Sequence, residues 1–211
     1  MEPRSYSYYK CSFGFKSSAL TAARYSGVAW ALNRGNKHVN LITDWENPTA
    51  NYSNPNSDKV PTLISYNESG AAWGFEAAVT KGSTLRWFKI LLEPENKYEK
   101  TPEQVIDSKA NLEKLGKTAQ DAVTDYLRLL WSYALEHIRK HIPKDDDDNQ
   151  SPKVVITVPA MWSDAAKELT RQAAEDAGIP GDISLVSEPE AAALAEFKDK
   201  VKKGEPLTVC A

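Results

Sequence analysis

The sequence predicts an α/β protein in which a mixed sheet is flanked by helices, and three observations carry the prediction. Val154-Val155-Ile156-Thr157-Val158 is a continuous β-branched run, followed by a helical stretch and a second apolar run, Ile183-Ser184-Leu185-Val186. Strand, helix and strand in that order make a right-handed parallel crossover. Apolar residues between Leu112 and Ile138 recur at three- and four-residue steps, the period of one buried helical face. The first third instead alternates short apolar runs with turn residues, the pattern of antiparallel strands.

Taken in order, Val28 to Leu32 and Val39 to Thr43 are two strands joined by Asn33-Arg34-Gly35-Asn36, residue types that tolerate positive φ, so a hairpin is expected. A polar, Asn-rich loop runs from Glu46 to Asp58, and Val60 to Tyr66 resumes the strand pattern with Pro61 at a strand start or edge. Thr101-Pro102-Glu103-Gln104 has the residues of a capped helix start. The periodic stretch to His141 follows as one long helix, with Gly116 as a possible interruption. Residues 144–152, with four consecutive aspartates, form a solvated acidic loop, because adjacent carboxylates repel. Beyond Pro159, Ser163 or Asp164 caps a helix whose inward stripe is read as Ala165, Leu169, Ala173 and Ala177, and Gly178 stops it. Ser187-Glu188-Pro189 is an exit loop and Glu190 to Phe197 the last helix. Residues 1–12 are expected to be a flexible N-terminus.

Composition narrows the function. The 211 residues are 41% hydrophobic and 26% charged with net charge −3, which supports a packed core and offers no field for nucleic acid or anionic lipid. No apolar window reaches the ~18 residues of a membrane span, and Met1 to Lys16 lacks the features of a secretory signal, so a cytoplasmic location is expected. Cys11 and Cys210 lie at opposite ends and form no metal-spaced pair.

Three decoys can be set aside. Gly116-Lys117-Thr118 resembles the end of a phosphate loop, but Asn111 stands where the upstream glycine belongs. Asp145, Asp147 and Asn149 open like a calcium loop, but Gln150 and Ile156 replace its glycine and closing glutamate. His137 and His141 form an i, i+4 pair without an identified third ligand, and their place near a helix C-terminus explains them, so no metal site is expected.

Val154 to Asp164, continued by Ala174-Glu175-Asp176-Ala177-Gly178-Ile179 and Ser187-Glu188-Pro189-Glu190-Ala191-Ala192-Ala193, resembles the ATPase domain of the DnaK-type, seventy-kilodalton heat-shock family. Tyr25 to Ala31, Lys59-Val60-Pro61-Thr62 and Arg86-Trp87-Phe88-Lys89 are similar to early segments of its divergent actin-like ATPase-domain branch. The resemblance spans about Phe13 to the end and implies that residues 1–211 are the first lobe, incomplete, of an actin-like (ribonuclease H-like) domain that holds ATP and Mg2+ between two lobes. It further implies that Lys89 neutralises the transferring phosphoryl group and that Glu188 orients the attacking water or the metal's water shell. Pro159 falls at the hinge, and Gly14, Tyr25 and Ser26 fall in the first nucleotide-binding hairpin. Read without the family, Lys89 is a surface lysine and Glu188 a loop carboxylate beyond a strand.

Two departures qualify the resemblance. Ser12-Phe13-Gly14 and Tyr25-Ser26-Gly27 flank ten residues where the family has two threonines, which should spoil the convergence of backbone amides on phosphate. The chain also stops at Ala211, before the second phosphate hairpin, as if a gene had been mis-joined and cut short. The expectation is therefore an ATP/ADP-binding lobe impaired in binding and hydrolysis. A catalytically silent protein-interaction module, offering the exposed face of the 112–141 helix, and a sugar or acid kinase on the same superfold are the alternatives. An open sheet edge predicts poor solubility in isolation.

Overall fold

The computed structural model describes residues 8–12, 24–32, 38–46, 58–93, 103–142 and 152–203. The acidic tract, the 101–102 helix cap and the 33–37 turn lie outside them.

Two sheets share one core. The larger has the order β3 (Asn40–Leu41), β2 (Tyr25–Ala31), β1 (Tyr8–Ser12), β8 (Lys153–Val158), β9 (Ile183–Ser187), with β4 (Val60–Pro61) also pairing β2. β1 pairs β2 antiparallel (Ser12 opposite Gly27) and β8 parallel (Ser12 opposite Thr157), and β8 pairs β9 parallel (Val158 opposite Ser187). The expected hairpin is present as β2–β3, and the expected parallel pair as β8–β9. The flexible N-terminus does not extend to Ser12: Tyr8–Ser12 is an interior strand, hydrogen-bonded on both sides.

The run from Val60 to Tyr66 divides at Thr62. β4 stays with β2, whereas β5 (Leu63–Asn67) enters a second sheet of order β6 (Gly70–Trp73), β5, β7 (Ser83–Arg86). Pro61 lies opposite Tyr25 on a strand that, among the described residues, pairs only β2, the edge position a residue without an N–H requires. A short helix α1 (Gly74–Val79) and a 3-10 turn (Phe88–Leu92) complete this region.

The long periodic stretch is two helices, α2 (Glu103–Leu115) and α3 (Ala119–His141). Gly116 takes φ 62°, so its N–H reaches Glu113 O and that of Lys117 reaches Leu112 O, a left-handed stop. Two residues later Thr118 caps α3: its hydroxyl accepts from Asp121 N–H while the Asp121 carboxylate accepts from Thr118 N–H. Lys117 pairs with Asp125 at 2.9 Å, so the segment resembling a phosphate loop is a helix–helix junction. One face of α3, from Ala122 through Tyr126, Leu127 and Leu130 to Ile138, is the centre of the core.

The crossover helix α4 (Asp164–Asp176) is capped by Ser163, whose hydroxyl accepts from Ala166 N–H. It stops at Gly178 (φ 78°), with Gly178 N–H bonded to Glu175 O and Ile179 N–H to Ala174 O. Its buried face is Ala166, Thr170, Ala173, Ala174 and Ala177; Ala165 is exposed and Leu169 only half-buried, so the predicted stripe is displaced at its N-terminal end. The last helix, α5 (Glu188–Lys203), begins at Glu188, which is therefore helical and not part of an exit loop. No helix among the described residues is long and apolar enough to cross a membrane.

Candidate functional site

Parallel pairing aligns the carboxyl ends of β1, β8 and β9 along one edge, the place where open α/β sheets present ligands. Pro159 follows β8 there, and Glu188 follows β9.

Lys89 reaches the same edge from the second sheet. The hydroxyl of Ser108 on α2 accepts from Arg86 N–H at 2.8 Å and donates to Arg86 O at 2.7 Å, fixing the end of β7. The next residue, Trp87, adopts φ 61° and ψ 13°, a left-handed conformation rare for a bulky side chain. It is held by burial against Ile90 and Val105 and by the Arg24 guanidinium, 4.9 Å from its ring centroid. The reversal at Trp87 turns Phe88 and Lys89 inward, and Lys89 is only 4% exposed. The surface-lysine reading is thus overturned. Glu93, closing the same 3-10 turn, accepts from Ser163 N–H at 2.9 Å and ties it to the start of α4.

Lys89 and Glu188 interact electrostatically across this edge. Burial pulls the Lys89 ammonium below the ordinary lysine range, opposed by the Glu188 carboxylate; burial pushes Glu188 above the ordinary carboxylate range, opposed by Lys89 and by Lys59. Desolvation outweighs attraction on both sides. One carboxylate oxygen of Glu188, Oε1, is buried without a hydrogen-bond partner, and such an atom in a native site marks a place for water, an ion or a ligand donor. Lys89, Thr157, Pro159 and Trp162 also line a cavity of about 20 Å3, the size of a single water.

The structure therefore brings together Lys89, Glu188 and Pro159, which sequence reasoning named, and adds Lys59, which it passed over. Lys59 was legible only as the first residue of the Lys59-Val60-Pro61-Thr62 segment, with no role assigned to it; its arrival depends on Gly27. A Cβ at Gly27 would stand 2.9 Å from Asp58 O and 3.8 Å from Lys59 Cγ, so the absence of one lets the 58–59 backbone close on β2.

Tyr25 and Ser26 lie at the start of β2. Tyr25 is 46% exposed, but Ser26 is fully buried and its hydroxyl bonds Thr62 Oγ1 at 2.8 Å, beside the Tyr126 hydroxyl. What Ser26 can offer a ligand is backbone, its side chain being committed to the core. Gly14 lies outside the described residues.

For Mg-ATP, the fit is to the polyphosphate end. Lys89 and Lys59 supply positive charge, and Glu188 supplies an unsatisfied oxygen able to accept from a metal-bound water.

No family model matches the chain. Chaperone protein DnaK of Mycoplasmopsis agalactiae is 35% identical over 115 residues, covering 54% of this chain and 19% of that protein. Heat shock 70 kDa protein 12B of Homo sapiens is 27% identical over 187 residues, and heat shock 70 kDa protein 12A of Homo sapiens 26% over 188, each covering 80% of this chain and 26% of the relative. The chain thus spans about a fifth to a quarter of the length of these curated relatives. Over part of its length it is related to proteins of the heat-shock-70 type.

Proposed function

We propose that this chain is the first lobe of an actin-like, ribonuclease H-like ATPase domain of the heat-shock-70 type, from its divergent branch, and that Lys89 and Glu188 serve the phosphate end of Mg-ATP. The observation that carries the reading is the convergence of Lys89 and Glu188, distant in sequence, on the carboxyl edge of three parallel strands, with a buried carboxylate oxygen left unpaired. Alignment over 80% of the chain with heat shock 70 kDa proteins 12A and 12B supports the assignment to that branch. Bound Mg-ATP would supply the phosphoryl group and the metal's water shell. Lys89 and Lys59 would neutralise phosphate charge, Glu188 would orient a water, and Pro159, beside Lys89 in the small cavity, would register the change at the end of β8.

In this reading the chain by itself binds nucleotide weakly, because the residues between Gly14 and Tyr25 interrupt the run of backbone amides that a first phosphate hairpin needs. Titration of the full chain with Mg-ATP, followed by tryptophan fluorescence (Trp162 lines the cavity), should give a weak saturable response that Lys89→Ala and Glu188→Gln each reduce at least tenfold. A folded chain with no response at millimolar nucleotide, or one indifferent to both substitutions, rejects the reading.

A nucleotide-indifferent interaction module is the second reading. It is favoured by the apolar row Leu194, Phe197 and Val201 on α5, with Leu194 and Val201 60% and 62% exposed. Among the described residues α3 presents no exposed large apolar side chain, so such a surface would belong to α5 and not to the 112–141 helix. Partner affinity unchanged by nucleotide but lost in Phe197→Ser would support it over the ATPase reading.

A further inference from the structure

Two short segments of the sequence set aromatic residues beside a carboxylate: Trp45-Glu46, leaving β3, and Trp73-Gly74-Phe75-Glu76, running from β6 into α1. The fold brings both to one cavity of about 400 Å3, walled by Trp45, Trp73, Phe75, the two glutamates and Tyr133 of α3. That volume and that mixture of rings with a few polar groups are those of a small-ligand site. None of the residues placed at the phosphate end lines it.

The rings are fixed by the fold. The Tyr133 hydroxyl donates to the Asp44 carbonyl, which holds the segment after β3 against α3. Trp45, the next residue, is stacked with Tyr133, with centroids 5.4 Å apart and planes 27° apart. Trp73 stands across both, at 89° to Trp45 and 65° to Tyr133, with centroids 6.3 and 5.8 Å away. Gly74 permits the turn that follows: it takes φ 59°, and a Cβ there would stand 2.7 Å from Val60 Cγ2. Trp45 is buried, whereas Trp73, Phe75 and Tyr133 are half-buried and keep part of their surface open. Rings at right angles expose π-faces in two directions, and a π-face attracts cations.

The charge at the cavity has one sign. Among the described residues two carboxylates and no basic side chain line it, and neither Glu46 nor Glu76 is in an ion pair. Lys140 feels the Glu46 charge without lining the cavity, and its ammonium is held by Glu136 at 2.8 Å. Burial, with the charges of Asp44 and Glu46, pushes the Tyr133 hydroxyl up to about 12, so its ring is neutral through the physiological range.

We propose that this cavity binds an alkylated ammonium group, the trimethylammonium head of a small choline-like molecule or of a methylated lysine side chain. The carboxylates oppose an anion. A primary ammonium would leave N–H donors against the rings, at the cost of burying unpaired polar groups. A fully alkylated nitrogen has no N–H to satisfy and spreads its charge over methyl groups, which aromatic walls receive well. Glu46 and Glu76, both exposed, balance that charge while remaining hydrated.

The test is calorimetric titration of the full chain with choline, with trimethyllysine and with a peptide carrying trimethyllysine, the uncharged tert-butyl analogue of choline serving as control. At least one cation should bind saturably with one equivalent, and the uncharged analogue at least about tenfold more weakly than choline. Tighter binding of the peptide assigns the group to a protein side chain, and tighter binding of choline to a free small molecule. The Glu46→Gln, Glu76→Gln double variant, altered only at exposed positions, should weaken the cation about three- to fivefold and leave the uncharged analogue unaffected. Trp73→Leu should abolish binding, with circular dichroism reporting the fold; the analogue and the double variant keep the test decisive if that variant does not fold. No saturable binding of any of the cations at millimolar concentration, equal affinity for the uncharged analogue, or affinity unchanged in the double variant would overturn the assignment.

Discussion

Gly27 offers a direct test of how the candidate site is assembled. Its φ is outside the left-handed region, so alanine there meets no backbone strain, and replacing glycine in a strand should by itself stabilise by roughly 0.5–1 kcal/mol through reduced chain entropy. Against this stands the Asp58 carbonyl, 2.9 Å from the new Cβ, a backbone atom that cannot swing aside as a side-chain tip would. Forcing a methyl into a closed contact costs roughly 1–3 kcal/mol. The difference leaves Gly27→Ala destabilised by up to about 2.5 kcal/mol, with the 58–59 backbone pushed off β2 and Lys59 carried away from Glu188. Urea denaturation should show a lower midpoint at unchanged slope. The weak Mg-ATP response should fall further than stability alone explains, since a charge that faces the phosphate end has been displaced. A variant as stable as the parent, with an unaltered nucleotide response, would refute the argument that Gly27 exists to admit Lys59.

Three further outcomes are expected. The Glu188 carboxyl is raised in the folded chain, so its contribution to stability is lost as pH climbs from the ordinary glutamate range (~4.3) toward neutrality. Lys89 is lowered, so its contribution recovers as pH climbs from neutrality toward the ordinary lysine range (~10.4); denaturation across pH should thus show a dip near neutrality that the Lys89→Met, Glu188→Gln double variant flattens, and a dip that survives the double variant would assign it to other groups. Ser163→Ala removes the acceptor for Ala166 N–H and should cost about 1 kcal/mol in urea midpoint analysis, whereas Ser163→Asp should retain most of the stability. At Gly178 an added Cβ meets nothing within 4 Å, so Gly178→Ala should cost only the left-handed strain of about 1–2 kcal/mol, with the site untouched.

What the sequence made legible follows from how local each signal was. The β2–β3 pairing announced itself through the Asn and Gly residues between its two apolar runs, and the β8–α4–β9 unit through a β-branched strand, a serine cap and a glycine stop. Tyr8–Ser12 did not, because Ser- and Tyr-rich chain becomes an interior strand only by tertiary pairing with β2 and β8. Gly70-Ala71-Ala72-Trp73 has weak strand propensity and is a strand because β5 lies beside it. The helix break at Gly116 was visible in outline, but the Thr118–Asp121 cap two residues later was missed because aspartate replaces the usual glutamate or glutamine of that motif. At the site, Lys89 and Glu188 could be named from motif resemblance, but the burial of Lys89 depends on the left-handed turn at Trp87, and no periodicity encodes that.

The position of β1 has a consequence for biogenesis. This strand is the first among the described residues, yet its second neighbour, β8, ends at Val158. A nascent polypeptide emerging from the ribosome at roughly 5–20 residues per second must therefore hold one flank of β1 without its partner for roughly 7–28 s, until about 140 further residues have been made. During that interval β1 presents an unpaired strand edge, the feature that invites pairing with another chain.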